Sequence, residues 1–212
     1  MNKNALIIFA KRPVSGKVKT RLANGTSEEF ALLFYKVCLD YFFSMTAGLS
    51  KQFPIDTFFY FNEQYDTAGD HKVQTGDTLG DKMGNAFKEI FELGYDKVCI
   101  IGTDIPDISP TIIKNAFDAL ENNDYVIGPA DDGGYYLLGM KKPETSIFNN
   151  ISWSTSSVLT ETIQNIGKAS YRLFDILIDI DTLEELTKWI NCGHGNHELK
   201  GKIRTLMKDF KV

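Results

Sequence analysis

Short apolar runs alternate along this 212-residue chain with longer segments whose apolar residues recur every three or four positions. The short runs predict buried strands at residues 5–10, 56–61, 97–102, 125–128, 135–140 and 177–180. The longer segments predict helices that begin near residues 26, 79, 109, 154, 182 and 199, with Thr26 and Glu29 as a capping box for the first. Such alternation predicts an α/β fold, a mostly parallel sheet with helices on both faces.

The chain shows no repeat or linker, so residues 1–212 are expected to form a single domain. The closely spaced runs 125–128 and 135–140 predict an antiparallel element within the sheet. The polar stretch 62–78 is predicted to be loop. Ligands of mostly parallel sheets bind at the carboxyl ends of the strands, so the polar residues that follow each strand are the candidate site.

A strongly cationic segment follows the first predicted strand. Residues 1–27 carry six cations and no carboxylate, a charge of +6 in a chain whose net charge is −5. Like charges in one loop repel each other, which favours a bound anion such as a polyphosphate. Because Val18 stands where a Walker A loop needs Ser or Thr, the segment is not such a loop. A solvated surface loop is the alternative. The candidate phosphate-binding residues are Lys11, Arg12, Gly16, Lys17, Lys19, Thr20 and Arg21.

Carboxylates follow two other predicted strands. Asp104 comes just after the apolar run 97–102, while Asp179 and Asp181 would point to one face of an extended segment. Oxygen ligands of this kind suit Mg²⁺ or Mn²⁺. The alternatives are an Asx turn at Asp104 and a helix cap at Asp181 or Thr182.

Two acids and two glycines lie between the runs 125–128 and 135–140. They are Asp131, Asp132, Gly133 and Gly134. The glycines would bring backbone close to a ligand, and either carboxylate could orient a sugar hydroxyl or hold the metal. A tight hairpin is the alternative, and both interpretations can hold together.

Composition limits the partners. An acidic chain with a pI of about 5.3 is a poor binder of nucleic acid. No run approaches the roughly 20 apolar residues of a membrane span, and a signal-peptide layout is missing, so a cytoplasmic protein with reduced cysteines and no membrane partner is expected. Cys192, His194 and His197 have zinc-like spacing without a fourth ligand, so zinc is not expected there.

These segments, in this order, resemble the nucleotide-diphospho-sugar transferase superfamily with the GT-A fold, and more narrowly the bacterial, glycosyltransferase-like family DUF2064. The matching blocks are residues 9–13 with 17–22, 78–83, 102–106, 131–139, 153–155 and 179–182. The chain is more distantly similar to the guanylyltransferases of molybdenum-cofactor and phospholactate metabolism. It departs from the family at Lys82, usually arginine, and at Leu183, usually proline. The first departure could alter a phosphate or base contact, because lysine lacks the planar fork of arginine.

The residues and the resemblance together imply a metal-dependent nucleotidyltransferase. A phosphorylated acceptor would attack the α-phosphorus of an NTP and release pyrophosphate. Lys19, Arg21 and Asp104 are the expected catalytic residues, and Gly80 and Lys82 join the phosphate-binding set. Mg²⁺ or Mn²⁺ would be held by Asp104 with Asp181 or Asp179. The acceptor or sugar would meet Asp131, Asp132, Gly133 and Gly134.

Two alternatives use the same residues. One is a GT-A glycosyltransferase with an NDP-sugar donor, and the other is a nucleotide-binding protein without turnover. The expected partners are a nucleotide or nucleotide-sugar and a small acceptor, with no expectation about oligomeric state. Every enzymatic alternative requires Arg21 and Asp104 to share one cavity.

Overall fold

Seven strands form one sheet at the centre of the protein, in a computed structural model that describes residues 3–65 and 71–212. The strands are β1 (Asn4–Ala10), β2 (Ile55–Phe61), β3 (His71–Val73), β4 (Lys97–Gly102), β5 (Tyr125–Pro129), β6 (Tyr135–Met140) and β7 (Tyr171–Leu173). Their order is β3-β2-β1-β4-β6-β5-β7. All neighbours are parallel except β6, which runs antiparallel to both β4 and β5. The predicted fold class is confirmed, including its antiparallel element.

Helices cover both faces of the sheet. They are α1 (Thr20–Gly25), α2 (Glu28–Gln52), α3 (Leu79–Glu92), α4 (Pro110–Ala119), α5 (Val158–Ile166), α6 (Leu183–Asn191) and α7 (His197–Phe210), with a 3-10 helix at Thr145–Phe148. One apolar core joins α2 and α4 to the sheet, and a second joins α3, α5 and the 3-10 helix to the opposite face. A third core packs α1, α6 and α7 against the outer side of α2.

Helix α2 begins one residue later than the sequence suggests. Ser27 is its N-cap and accepts a hydrogen bond from the Phe30 N–H at 3.1 Å. Thr26 instead ends α1, where its hydroxyl donates to the Leu22 carbonyl at 2.7 Å. The predicted capping box of Thr26 and Glu29 is therefore wrong, because the Thr26 side chain is already engaged by the preceding helix.

Within the described ranges, α2 is the single helix long and apolar enough, by length and composition alone, to cross a membrane. Half of its apolar window is buried inside the protein. It contributes side chains to both the first and the third core, such as Phe42 and Phe34. A core helix that packs on two sides needs this composition.

Several predicted elements differ from the structure. The segment 177–180 is not a strand: Leu177 makes one isolated bridge, and the next N–H groups donate to Asp131 and Asp104 instead of to a neighbouring strand. The predicted loop 62–78 contains β3, and its residues 66–70 lie outside the described ranges. The helix predicted from residue 154 begins at Val158, after a turn. Strand β7 and helix α1 were not predicted.

This topology places several loops at one edge of the sheet. Strands β1, β2, β4 and β5 run in the same direction, so their carboxyl ends share that edge. Because β6 runs the other way, the connection 130–134 also turns there. The basic segment, Asp104 and the connection 130–134 thus meet although they are far apart in sequence.

Candidate functional site

A cavity of about 590 Å³ opens at the carboxyl edge of the sheet. Its walls come from the ends of β1 and β4, the start of α3, the connection before β6 and the turn 153–155. The predicted site residues that line it are Lys11, Lys82, Asp104, Asp132, Gly134 and Asp179.

Lys19 lies beside this cavity and gathers three carboxylates. Its Nζ is 2.6 Å from Asp104 Oδ1, 3.0 Å from Asp181 Oδ1 and 3.8 Å from Asp179 Oδ1. The Lys19 side chain is only 3% exposed, whereas those of Asp104 and Asp181 are 45% and 41% exposed. We call Lys19, Asp104, Asp179 and Asp181 the acid cluster.

Electrostatics within the acid cluster favour a charged lysine. Burial alone would lower the pKa of Lys19, but the three carboxylates outweigh burial and raise it. Burial alone would raise the pKa of Asp104, but the Lys19 ammonium holds it below its usual range. Asp179 behaves differently, because burial and the neighbouring Asp104 charge raise its pKa to about 7. One ammonium does not compensate three carboxylates, so the cluster retains negative charge.

The backbone at Lys19 is unusual for a residue with a side chain. It has φ 48° and ψ 44°, the left-handed conformation, and it precedes the first turn of α1. Such a conformation costs free energy and persists where surrounding contacts hold it. The contacts to Asp104 and Asp181 provide that restraint, and they hold the side chain inward between the exposed residues Lys17 and Thr20.

Arg21 lies next to the acid cluster but does not line the cavity with Asp104, so the cavity that the two were expected to share is lined by Asp104 without Arg21. The Arg21 guanidinium is 3.6 Å from Asp181 Oδ2 and is 70% exposed, so most of it faces solvent. Asp181 does not cap α6, because the Thr182 hydroxyl takes that role and accepts from the Glu185 N–H at 3.3 Å. The Asp181 carboxylate is thereby left to Lys19 and Arg21.

The remaining basic segment lies outside the cavity lining. Lys17 and Thr20 are exposed, and Gly16, with φ 71°, faces the Glu28 carboxylate. The Ser15 hydroxyl donates to that carboxylate at 3.0 Å. The segment therefore has an acidic neighbour in the fold, although none occurs within it in the sequence.

Tyr35 fixes Lys11 at the cavity wall, and the sequence did not indicate it. Its hydroxyl accepts from the Lys11 N–H at 2.7 Å and donates to the Lys11 carbonyl at 2.9 Å. Burial raises the pKa of Tyr35 to about 12, so the hydroxyl stays protonated and can donate. A tyrosine inside an apolar helix gives no sequence signal of this contact.

Two of the four predicted site residues in the connection before β6 line the cavity, and the other two lie outside it. Asp132 and Gly134 line the cavity, and the Gly134 N–H donates to Asp132 Oδ1 at 2.8 Å. Asp131 lies outside the lining, where it accepts from the Asp179 N–H at 3.1 Å and from Lys188 Nζ at 2.8 Å. Gly133, with φ 93°, packs against the Ser156 backbone.

Gly80 supports the cavity wall without lining it. A Cβ at Gly80 would lie 2.8 Å from Cζ2 of Trp153, so the glycine makes room for the indole ring. Trp153 and its neighbour Ser154 line the cavity, and Ser154 has a left-handed φ of 64°. The Glu161 carboxylate braces this turn by accepting from the Ser152 N–H at 2.6 Å.

The carboxylate oxygens at this edge suit a metal ion that also binds oxygen atoms of a substrate. The described residues contain no group of three or more His, Cys, Asp or Glu in metal-binding geometry. Asp104 and Asp179 nevertheless line the cavity, and the buried Asp179 Oδ1 accepts no hydrogen bond within those residues. Mg²⁺ is commonly held by one or two carboxylates together with substrate phosphates and water. A cation here would take over carboxylate contacts that the Lys19 ammonium makes.

Comparison with known proteins confirms the predicted resemblance. The model of the family DUF2064, described as "Uncharacterized protein conserved in bacteria", matches residues 56–155. The basic segment and residues 179–182 lie outside this matched range. A structure from Desulfovibrio desulfuricans G20, described as a candidate nucleotide-diphospho-sugar transferase, superposes with a TM-score of 0.85 and 25% identity over 99% of both chains. The fold therefore extends over the whole chain.

The curated relatives include two 2-phospho-L-lactate guanylyltransferases that match a little over half of this chain. That of Methanocaldococcus jannaschii is 34% identical over 131 residues, 61% of this chain and 58% of the relative. That of Methanothermobacter thermautotrophicus is 29% identical over 117 residues, 54% of this chain and 52% of the relative. The match thus spans little more than half the length of these relatives.

Proposed function

We propose that this protein is a divalent-metal-dependent nucleotidyltransferase that joins the nucleotide of an NTP to a small phosphorylated acceptor. The observation that carries the proposal is the acid cluster, in which a buried lysine and two cavity-lining aspartates meet at the carboxyl edge of the sheet. The guanylyltransferase relatives favour GTP as the first nucleotide to test. A cytoplasmic location without membrane or nucleic-acid partners remains a prediction from composition.

The reaction needs no covalent intermediate with the protein. An oxygen of the acceptor phosphate forms a bond to the α-phosphorus, and the bond from that phosphorus to the bridging oxygen of pyrophosphate breaks. Bound Mg²⁺ or Mn²⁺ supplies charge neutralisation at the phosphoryl oxygens. Asp104 and Asp179 would hold this cation from the cavity wall, with Asp181 beside them.

The cations of the chain would act on the triphosphate. Lys19 would exchange its carboxylate contacts for phosphate oxygens, and the mostly exposed Arg21 fork would exchange its contact with Asp181 for the departing pyrophosphate. Lys11 and Lys82 line the cavity and have no recorded ion pair in the described ranges, so both can meet an anionic ligand. Positioning and charge stabilisation would supply the catalysis.

Isothermal titration with GTP, CTP, UTP and ATP, with and without Mg²⁺, tests the proposal. Mg²⁺ should strengthen nucleotide binding at least about tenfold, and Asp104→Ala should abolish that gain. Asp118→Ala is the control, since Asp118 also pairs with a lysine but lies on α4 away from the cavity. Unchanged metal-dependent binding in Asp104→Ala would refute the assignment.

A glycosyltransferase with an NDP-sugar donor is the second candidate, favoured by the description of the Desulfovibrio structure. Product analysis separates the two reactions. Pyrophosphate released from an NTP in the presence of a phosphorylated acceptor supports nucleotidyl transfer, whereas free NDP released from an NDP-sugar supports glycosyl transfer. Binding without either product across a broad acceptor screen would indicate a nucleotide-binding protein.

A further inference from the structure

Two side-chain amides line the cavity beyond β1, on the side of the sheet away from β4 and Asp104. Gln74 follows β3 and Asn62 follows β2, and both line the cavity. Both residues also donate to one oxygen, the carbonyl of Ala10 at the end of β1: the Asn62 backbone N–H and Gln74 Nε2 each lie 3.2 Å from it. This shared acceptor places the Asn62 backbone and the Gln74 amide next to each other at the end of β1.

The orientation of the Gln74 amide is fixed. Its Nε2 donates to two backbone carbonyls, Ala10 at 3.2 Å and Tyr60 at 2.9 Å. An amide nitrogen has two N–H donors, so both are used, and the reversed amide would place an oxygen against two carbonyl oxygens. Within the described ranges, Gln74 Oε1 accepts no hydrogen bond and is not fully buried. It is therefore an oriented acceptor on the cavity wall.

In the Asn62 side chain the oxygen is engaged and the nitrogen is available, the reverse of Gln74. Its Oδ1 accepts from the Arg12 N–H at 2.7 Å, which fixes the oxygen toward the basic segment. Asn62 Nδ2 then points away from that contact, and Asn62 is exposed. The wall thus presents a fixed acceptor from Gln74 beside a fixed donor from Asn62.

We propose that Gln74 and Asn62 read the nucleobase of the bound nucleotide, and that their pattern selects guanine. This inference rests on the proposed function. Gln74 Oε1 has two lone pairs and can accept from adjacent N–H donors of guanine, while Asn62 Nδ2 donates to the guanine carbonyl oxygen O6. Adenine has an amino group at the position of O6, which would face Asn62 Nδ2 donor against donor.

The placement also suits the rest of a nucleotide. Asn62 follows β2 and Asp104 follows β4, with β1 between them, so the two lie about two strand spacings apart, roughly 10 Å. A base at the amides would therefore leave room for a ribose before the phosphates reach Asp104 and Lys19. Lys11, held by Tyr35, lies at the end of the intervening strand.

The test compares binding of GTP and ATP, each with Mg²⁺, by isothermal titration to the full chain and three variants. Asn62→Asp keeps the oxygen that accepts from Arg12 but replaces the donor by an acceptor. Gln74→Met removes the oriented oxygen at similar volume. Asn165→Leu is the matched control, because Asn165 Nδ2 also donates to two backbone carbonyls, at 3.1 and 2.8 Å, away from the cavity. The readout is the GTP-to-ATP affinity ratio, which cancels general effects of charge and stability.

We expect the unmodified chain to prefer GTP by at least about tenfold. Asn62→Asp and Gln74→Met should each reduce that preference about tenfold or more, and Asn165→Leu should preserve it. Equal affinity of the unmodified chain for both nucleotides, or an unchanged ratio in both cavity variants, would overturn this inference and leave the proposed function standing. Failure of the unmodified chain to bind any NTP with Mg²⁺ would overturn both.

Discussion

The Nζ of Lys19 lies 2.6 Å from Oδ1 of Asp104, and the lysine side chain is 3% exposed. A lysine this deeply buried is rare without a paired carboxylate, and here it has three neighbours of that kind. Substitutions and pH changes that alter these contacts should therefore change both the stability of the protein and the charge of the site.

Replacing Lys19 by Met should destabilise the protein, because three carboxylates would then repel each other without a central cation. Breaking a buried ion pair typically costs about 3–5 kcal/mol. We expect about 1–3 kcal/mol, because Asp104 and Asp181 are 45% and 41% exposed and water screens them. Urea denaturation at pH 7 measures the change. Lys114→Met, which removes an exposed pair with Asp118, should cost less than about 0.5 kcal/mol; equal losses would contradict the role of burial.

The stability of the protein should fall as the pH rises from about 4 to 7, through the contribution of Asp179. Its pKa is raised to about 7 by burial and by the Asp104 charge, so the folded state binds a proton that the unfolded state has already released. The contribution is complete below the unfolded pKa and is lost as pH passes through 7. Asp179→Asn should therefore gain stability relative to the unmodified protein, by about 1–3 kcal/mol between pH 4 and 8. The free energy of unfolding of both proteins is measured with urea at several pH values. The same pH dependence in both would contradict the prediction.

Asp131 should affect Mg²⁺-dependent nucleotide binding by positioning Asp179. Its Oδ1 accepts a hydrogen bond from the Asp179 N–H at 3.1 Å. Asp131→Ala should weaken Mg²⁺-dependent nucleotide binding about tenfold, as loss of a residue that positions a metal ligand commonly does. Asp131→Asn retains an oxygen for the Asp179 N–H and should restore most of the affinity. Lys188→Met removes only the exposed ion-pair partner of Asp131 and should leave affinity within about twofold. Titration calorimetry of all three variants measures the Mg²⁺-dependent affinity for the nucleotide. Equal losses of affinity in Asp131→Ala and Asp131→Asn would argue that Asp131 does not position Asp179.

Gly133→Ala should be more damaging than Gly94→Ala, although both glycines have positive φ, 93° and 85°. A Cβ at Gly133 would lie 2.3 Å from the Ser156 carbonyl oxygen, whereas one at Gly94 would meet nothing within 4 Å. Gly94→Ala should cost about 1 kcal/mol of backbone strain, and Gly133→Ala at least about 2 kcal/mol more. Thermal or urea unfolding of the pair gives the comparison. Similar costs would mean that the turn at Ser156 moves freely.

The sequence predicted those parts of the fold whose signals are local. The apolar run 98–101 of β4 and the Ser109-Pro110 start of α4 both appear where expected, because burial and capping act within a few residues. Strand β3 was missed, since His71–Val73 is short and polar and pairs only because β2 lies beside it. Ser27 rather than Thr26 caps α2, because the Thr26 hydroxyl already donates to the Leu22 carbonyl at the end of α1.

The candidate site shows the same difference between local and distant signals. Asp104 and Asp179 were identifiable because a carboxylate after or within an apolar run requires an explanation. The burial of Lys19 was not, since lysine is normally exposed and the partners that bury it are distant in sequence. The sequence pointed to the neighbourhood of residues 74–80 for base recognition but assigned no role to the Gln74 or Asn62 side chain, because an amide in a polar stretch carries no signal until its hydrogen-bond partners fix which way it faces.

Lys19 and Asp181 touch across 162 positions of the chain. Domains emerge from the ribosome N-terminus first, so the cationic segment is made long before two of its three carboxylate partners exist. A nascent polypeptide released before residue 179 would contain all seven strand segments and Asp104, yet its lysine would lack the anionic surroundings that hold it inward. Translation must pass the last strand before the acid cluster can close.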